Sequence, residues 1–228
     1  MKDTSKAMLR RLNLPGFATR YFVGQGLDIN GAADPIGQYA ELFPAIKGMR
    51  LWDVADGDAQ YLTGLADSTF DFVHASHALQ RMADPREALR HWFRVLKPGG
   101  HLVLLVPDED MYEQGFRPSR YNQDNRWTFT LFKTRSWSPG SLNLVELVQI
   151  LGAQADIRRM EAIDQGYRHG LPRFDQTLTP VAECAIEVVI RKRPQAKAVA
   201  GGRLNADGPL TPADVFILTG LRVEAPKR

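Results

Sequence analysis

The 228-residue chain, 44% of it hydrophobic, suits one α/β domain of ordinary core size with short additions. Its 29 basic and 26 acidic side chains leave a net charge of +3 without a long basic tract, so specific nucleic-acid binding is not indicated. The single cysteine excludes an internal disulfide and a cysteine-rich metal site, and it fits a reducing compartment.

The N-terminal sequence MKDTSKAMLRRLNLPGF is basic but lacks the continuous apolar core and the cleavage site of a secretory signal. No apolar run in the sequence approaches the roughly 20 residues that span a bilayer. We therefore expect a cytoplasmic protein with no transmembrane segment. Residues 4–12 indicate a short amphipathic helix that closes one edge of the domain.

Strands and helices are predicted to alternate along the first half of the chain. A short apolar strand at 26–29 (GLDI) runs into a small-residue turn and the helix-compatible segment QYAELF. Further strands are predicted at 49–54 (MRLWDV) and 69–75 (TFDFVHA). This alternation is typical of a doubly wound, mostly parallel α/β sheet.

A helix is predicted to begin at Asp84 and Pro85, which are a good N-cap and a good first helical residue, and to end at KPGG. The strand after it, 101–106 (HLVLLV), is apolar throughout, as expected for a parallel strand covered on both faces. A helix at 142–151 and strands at 155–162 and 184–192 complete the predicted sheet.

Residues 109–140 interrupt this order, because they are rich in aromatic residues and arginine and show little helical or strand periodicity. We interpret them as a cap-like insertion over the acceptor. The domain is predicted to span residues 1–193, and residues 194–228, rich in Gly, Ala and Pro, are predicted to form a flexible or loosely packed tail.

Ligands of open α/β sheets bind beyond the carboxyl ends of the strands. After the first strand come Asn30, Gly31, Ala32 and Ala33, whose small side chains let backbone N–H groups approach a ligand. Asp53 follows Asp28 by 25 positions, close to the spacing at which an acid reaches a ribose hydroxyl. The pattern favours an adenosine-containing cofactor.

Four segments carry a family resemblance: LDINGA, DGDAQYL, STFDFVHASHALQRM and RVLKPGGHLVLLVPD. In order and strand context they resemble the motifs of class I S-adenosylmethionine-dependent methyltransferases of the type 11-like group. The resemblance covers residues 20–108 well and residues 140–192 loosely. It implies a Rossmann-like fold with the insertion after its fifth strand, and S-adenosylmethionine as the cofactor.

The resemblance also implies roles for particular residues. The methionine part of the cofactor maps to Asp28, Asn30 and Gly31, and the ribose maps to Asp53. The adenine maps to Gly57, Asp58 and Ala59. Beneath the methyl group, the floor of the site maps to Ala75, Ser76 and His77.

Methyl transfer from a sulfonium requires mainly an in-line nucleophile and exclusion of water. A hydroxyl acceptor gains from a base that takes its proton. We predict His77 as this base, followed by His74, Asp108 and Asp110. A packing or hydrogen-bonding role for His77 is the open alternative.

The sequence departs from the family pattern at three places. Asn30, Ala32 and Ala33 stand where relatives carry glycines, and Leu79-Gln80-Arg81 stands where they often carry Leu-Glu-His. Only five positions separate Asp53 from Asp58, too few for a full helix. Either that helix is missing, or MRLWDV is the third strand.

Two other functions were weighed. A nicotinamide dehydrogenase is disfavoured because Ile29 occupies the third glycine position of G-x-G-x-x-G and because Gly24 and Gly26 precede the strand instead of following it. A catalytically inactive, methyltransferase-like binding protein is the alternative that the lost glycines favour.

The acceptor is predicted from the insertion, where aromatic side chains alternate with arginines, a combination that suits a sugar or an anionic group. The family resemblance also implies relatives among bacterial proteins of surface-polysaccharide type, and it thus points to a sugar hydroxyl. We expect O-methylation of a small-molecule or glycan acceptor. Asp108, Glu109 and Asp110 indicate either a magnesium site or a solvated loop, and no metal is assigned. The oligomeric state is not predicted.

Overall fold

The computed structural model describes residues 3–29, 31 and 33–201. Eight strands are found in this part of the chain: β1 Gly24–Ile29, β2 Ile46–Trp52, β3 Phe70–Ser76, β4 Leu96–Pro107, β5 Thr128–Thr130, β6 Ser141–Asn143, β7 Ala155–Ile163 and β8 Ala185–Lys192. The α-helices are α1 Asp3–Asn13, α2 Phe17–Arg20, α3 Pro85–Arg94, α4 Leu144–Gln149 and α5 Gln195–Val199. Among these residues, no helix has the length and apolar character needed to cross a membrane.

Six strands form the central sheet in the order β2-β1-β3-β4-β8-β7. The first four are parallel, β8 runs antiparallel to β4, and β7 runs antiparallel to β8. Five of the six strands therefore point the same way. The predicted α/β fold with a doubly wound, mostly parallel sheet is confirmed.

The position of β2 decides between the two interpretations of MRLWDV. It pairs directly with β1, in the register Ile29 with Trp52. In the doubly wound order the neighbour of the first strand on this side is the second strand. A single 3₁₀ turn, Val54–Asp56, follows it, and the structure places no strand between β2 and β3. MRLWDV is therefore the second strand, and the helix after it is missing.

The two faces of the sheet are covered by different helices. One face packs against α3 and α4 through a large apolar cluster that includes Leu27, Val73, Trp92 and Leu147. On the other face lie α1, α2 and the 3₁₀ helix Ile36–Leu42, which pack on Phe72, Val103 and Val189. Alternation of side chains along β1 sends Leu27 and Ile29 to the first face and Asp28 to the second.

The N-terminal helix α1 lies on the second face of the sheet, so the expectation that it closes an edge was wrong. Its Arg11 is fully buried and donates from Nε to Glu187 on β8 at 2.7 Å. The guanidinium of Arg10 also binds Glu187, at 2.7 Å, and Glu183, at 2.9 Å. Because buried charges require partners, these acids fix α1 over the middle of the sheet.

The insertion contains more regular structure than its sequence indicates. A short π-helix, Glu109–Glu113, follows β4, and β5 pairs with β6 in a separate two-stranded sheet. Helix α4 begins after Asn143, whose side chain accepts from the Val145 and Glu146 amides, so Leu142 belongs to β6 and not to a helix. Residues 202–228, most of the predicted tail, lie outside the described residues, and the boundary at 193 stays a prediction.

Candidate cofactor and acceptor site

The ends of three parallel strands meet at one edge of the sheet. Ile29 of β1 pairs with Trp52 on one side and with Ala75 on the other. The residues that follow these paired positions therefore lie at the same edge of the sheet. They are the turn after β1, Asp53 after β2, and Ser76 and His77 at the end of β3. This is the edge at which the sequence predicts the cofactor.

The turn after β1 is built around the buried carboxylate of Asp28. One oxygen lies 2.8 Å from Nδ1 of His74, and the other accepts the Ile36 amide at 2.8 Å. A Cβ at Gly31 would lie 2.5 Å from this carboxylate, so the turn requires glycine there. Each carboxylate oxygen thus has a partner within the protein, and these bonds let Asp28 shape the turn. Asn30, predicted to contact the cofactor, lies outside the described residues.

A small cavity of about 100 Å³ opens between this turn and the end of β3. Its walls come from the turn, from the N-terminus of α1 and from the segment after β3: Asp3, Thr4, Gly31, Ala33, Asp34, Ser76, His77 and Arg81. The cavity thus contains the predicted residues Gly31, Ser76 and His77. Ala75 precedes them as a buried residue of β3.

The residues predicted to hold the adenosine lie on a more open surface beside β2. The Trp52 indole donates to the Gly57 carbonyl at 3.3 Å, which brings this loop back to the end of β2. From α3, the Trp92 indole fixes the Ala59 carbonyl at 2.7 Å. Asp53 accepts the Ala55 amide through Oδ1, and the exposed Asp58 accepts the Gln60 amide through Oδ1. The second oxygen of each carboxylate has no hydrogen bond to a described residue.

His77 occupies the junction of this small cavity with a larger one. Its φ of 50° is in the left-handed region, which is uncommon for a residue other than glycine and is often found at functional sites. Nδ1 lies 3.3 Å from Oγ of Ser76 and 3.6 Å from a carboxylate oxygen of Asp3. Nε2 is buried and has no hydrogen-bond partner among the described residues.

Burial lowers the pKa of His77, although the Asp3 carboxylate opposes this effect, and the charge of Arg81 lowers the pKa further. The imidazole is therefore neutral near pH 7. A neutral imidazole with an unpartnered nitrogen can accept a proton from a ligand.

The larger cavity has a volume of about 560 Å³. It is lined by the N-terminal helix, the segment after β3, the insertion and the loop before β8: Asp3, Lys6, His77, Gln80, Arg81, Tyr112, Tyr121, Asn122, Asn125, Asp175 and residues 177–180. The insertion is seated beside His77 because the Arg126 and Trp127 amides both donate to the Gln80 carbonyl.

The other predicted bases are engaged elsewhere and line neither of these two cavities. The two ring nitrogens of His74 are bound to Asp28 and Arg11. Asp108 caps the π-helix by accepting the Asp110 and Met111 amides, and burial raises the pKa of Asp108 to about 6. Asp110 pairs with Lys133 and accepts from the Trp137 indole.

The acidic run 108–110 is not the solvated loop that its sequence suggests. Glu109 is fully buried and accepts hydrogen bonds from Thr128, Lys133, Ser136 and Ser141. It therefore ties together the two strands and the loop of the insertion. Within the described residues, no group of His, Cys, Asp and Glu side chains is suited to hold a metal.

Residues 16–104 match the family model described as a methyltransferase domain. This part of the chain is similar to methyltransferase domains. The predicted resemblance to class I methyltransferases is confirmed, and S-adenosylmethionine is the cofactor that such a domain implies.

Curated relatives match this chain over short stretches. The ubiquinone/menaquinone biosynthesis C-methyltransferase of Cronobacter sakazakii is 45% identical over 47 residues, which are 21% of this chain and 19% of that protein. The demethylmenaquinone methyltransferase of Chlamydia trachomatis serovar L2 is 40% identical over 58 residues, 25% of this chain and 22% of that protein. The match thus spans about a fifth of the length of these relatives.

Among solved structures, this chain is similar to one from the complex between the Haloferax volcanii Trm112 methyltransferase activator and a methyltransferase. The TM-score is 0.50 at 14% identity, and the match covers 84% of this chain and 90% of that chain. At this identity the likeness concerns the fold alone.

Several cavity residues were not predicted from the sequence. Asp3 and Lys6 enter the site because α1 covers a face of the sheet, and Lys6 Nζ donates to the Thr177 and Ala182 carbonyls. Residues 175–180 come from a loop without regular periodicity. Arg81 could have been noticed in the sequence, because it stands where relatives often carry the histidine of a Leu-Glu-His pattern.

Proposed function

We propose that this protein transfers the methyl group of S-adenosylmethionine to an oxygen of a small or sugar-type acceptor in the larger cavity, with His77 as the proton acceptor. The observation that carries this proposal is the position of His77. It lines both cavities, its imidazole is neutral, and its Nε2 has no partner among the described residues.

The cofactor side of the site fits the elongated shape of S-adenosylmethionine in two parts. The small cavity with its obligatory glycine, Gly31, suits the methionine end, because backbone can approach a ligand closely there. Asp53 and the loop of Gly57, Asp58 and Ala59 form a shelf for the ribose and the adenine. When bound, the cofactor supplies the methyl group on a sulfonium.

The insertion provides several of the side chains that line the proposed acceptor cavity. A cavity of about 560 Å³ lies within the range of small-molecule sites, roughly 300–1,000 Å³. Tyr112 and Tyr121 provide aromatic faces, and Asn122 and Asn125 provide amide groups for hydroxyls. These side chains would hold the acceptor oxygen against His77 and exclude water, which are the main tasks in this chemistry.

A binding protein without turnover is the second candidate. The small volume of the cofactor-side cavity, about 100 Å³, favours it, since a whole cofactor requires the open shelf as well. Transfer of the methyl group distinguishes the two candidates.

The test incubates the full chain with methyl-labelled S-adenosylmethionine and a panel of sugars, nucleotide sugars and glycan fragments. We expect a labelled product, and His77→Gln should reduce its rate by about two to four powers of ten while cofactor binding is retained. His91→Gln is the matched control, because His91 lies on α3 and pairs with Glu87 outside both cavities. An unchanged rate in His77→Gln would exclude His77 as the base.

A further inference from the structure

Arg81 is a cation of the site without a counter-ion. It ends the 3₁₀ turn Leu79–Arg81 and lines both cavities. Its side chain forms no ion pair or hydrogen bond with any described residue, and its Nε is buried without a partner. Lys6, the other cation of the larger cavity, donates to two carbonyls. A partly buried guanidinium without partners is costly, and this cost favours a bound anion.

Two amide oxygens of residues that line the larger cavity also lack partners among the described residues. Nε2 of Gln80 donates to the His77 carbonyl at 2.8 Å, and Nδ2 of Asn125 donates to Glu113 at 2.8 Å. These bonds fix the orientation of both amides and leave Oε1 of Gln80 and Oδ1 of Asn125 buried and unbonded. Both residues line the larger cavity and not the smaller one. The vacant hydrogen-bonding groups around Arg81 therefore belong to the acceptor side.

We propose that Arg81 is the anion-binding residue of the acceptor site, and that the acceptor carries a carboxylate or phosphate group next to hydroxyls that donate to Gln80 and Asn125. The planar guanidinium fork binds such oxyanions in two parallel hydrogen bonds. The inference rests on the proposed function, because it names the acceptor class of the same site.

The charges around His77 provide a readout that does not depend on catalysis. Asp3, Glu183, Lys6 and Arg81 are the charged groups that act on its imidazole. Because Arg81 lowers the pKa of His77, an anion bound to Arg81 should raise that pKa. Removal of the guanidinium should raise it permanently.

The experiment follows the histidine imidazole signals of the full chain by NMR during pH titrations with and without inorganic phosphate at constant ionic strength. His77→Gln assigns the signal of His77. We expect phosphate to raise the pKa of His77 in the wild type, and Arg81→Gln to weaken phosphate binding at least tenfold. Arg86→Gln, which removes an exposed arginine from the first turn of α3, should leave the response unchanged. If phosphate left the pKa of His77 unchanged in the wild type, the proposal would be overturned.

A second arm asks whether Arg81 serves the cofactor instead. S-Adenosylhomocysteine carries a carboxylate, whereas 5′-methylthioadenosine does not. Equal affinities of the wild type and Arg81→Gln for both compounds support the proposal. A selective loss of S-adenosylhomocysteine affinity in Arg81→Gln would assign the guanidinium to the cofactor and overturn it. If no cofactor binds at all, the proposed function fails, but the phosphate titration still tests Arg81.

Discussion

Asp28 and His74 face each other on the paired strands β1 and β3, with 2.8 Å between the carboxylate Oδ1 and the imidazole Nδ1. On the other side of the ring, Arg11 Nη1 lies 3.1 Å from Nε2. Since a guanidinium only donates, Nε2 accepts and Nδ1–H donates to Asp28. A continuous buried chain of hydrogen bonds thus connects the N-terminal helix to the turn that lines the small cavity.

Arg11→Met should lower the free energy of unfolding by about 3 kcal/mol or more, because it leaves Glu187 and His74 buried with fewer partners. Urea denaturation measures the change. The exposed Arg86→Met serves as the control and should change stability by less than about 0.5 kcal/mol. Equal stabilities of the two variants would show that α1 is not held by this network.

Gly31→Ala should weaken cofactor binding at least tenfold, because its Cβ would lie 2.5 Å from the Asp28 carboxylate and force the turn to move. Gly37→Ala is the matched control, since its Cβ would meet Met49 at an ordinary 3.7 Å. Calorimetric titration with S-adenosylhomocysteine compares the two. If Gly31→Ala bound the ligand as well as Gly37→Ala, the turn would not be the methionine site.

The contribution of Glu187 to stability should decrease as the pH falls. The pKa of Glu187 is lowered from 4.5 to about 2: burial alone would raise it, but Arg11 and Arg10 outweigh that effect. Its contribution, about 3 kcal/mol, is complete above pH 4.5 and is lost as the pH falls towards 2. His77 acts in the same direction below pH 6.5, because its pKa is lowered by burial. Urea unfolding at pH 3, 5 and 7 measures the profile, and Glu187→Gln should flatten its acid limb. An unaltered acid limb in that variant would contradict the assignment.

Glu109→Gln should loosen the insertion and lower stability by about 2–3 kcal/mol, since Lys133 loses a buried carboxylate partner. Hydrogen exchange should accelerate in residues 128–143, and the central sheet should stay protected. The control is Glu146→Gln, an exposed residue in the first turn of α4. Uniform acceleration over the whole chain would instead indicate that Glu109 stabilises the fold as a whole.

The sequence predicts those parts of the fold that depend on local pattern. HLVLLV is recognisable as an interior strand because every residue except His101 is apolar, and Asp84 with Pro85 marks the start of α3. The position of α1 is not predictable in this way, because Arg10 meets Glu183 and Glu187 more than 170 residues away along the chain.

The site residues show the same difference between what local sequence pattern predicts and what depends on distant contacts. The predicted residues at the strand ends, such as Gly31 and His77, do line the small cavity, because strand order alone brings them together. The unpartnered state of Arg81 follows from which side chains surround it in space. The role of Glu109 was hidden for the same reason, since its partners lie between 19 and 32 residues further along the chain.

The central claim is that a cofactor binds at the edge of the sheet where β1, β2 and β3 end, between Gly31 and Ser76. Calorimetric titration of the full chain with S-adenosylmethionine tests it. We predict one site with a dissociation constant between about 1 μM and 1 mM, the usual range for enzyme ligands, and at least a tenfold loss of affinity in Asp58→Ala. A folded protein that gives no binding heat at millimolar cofactor would contradict the claim.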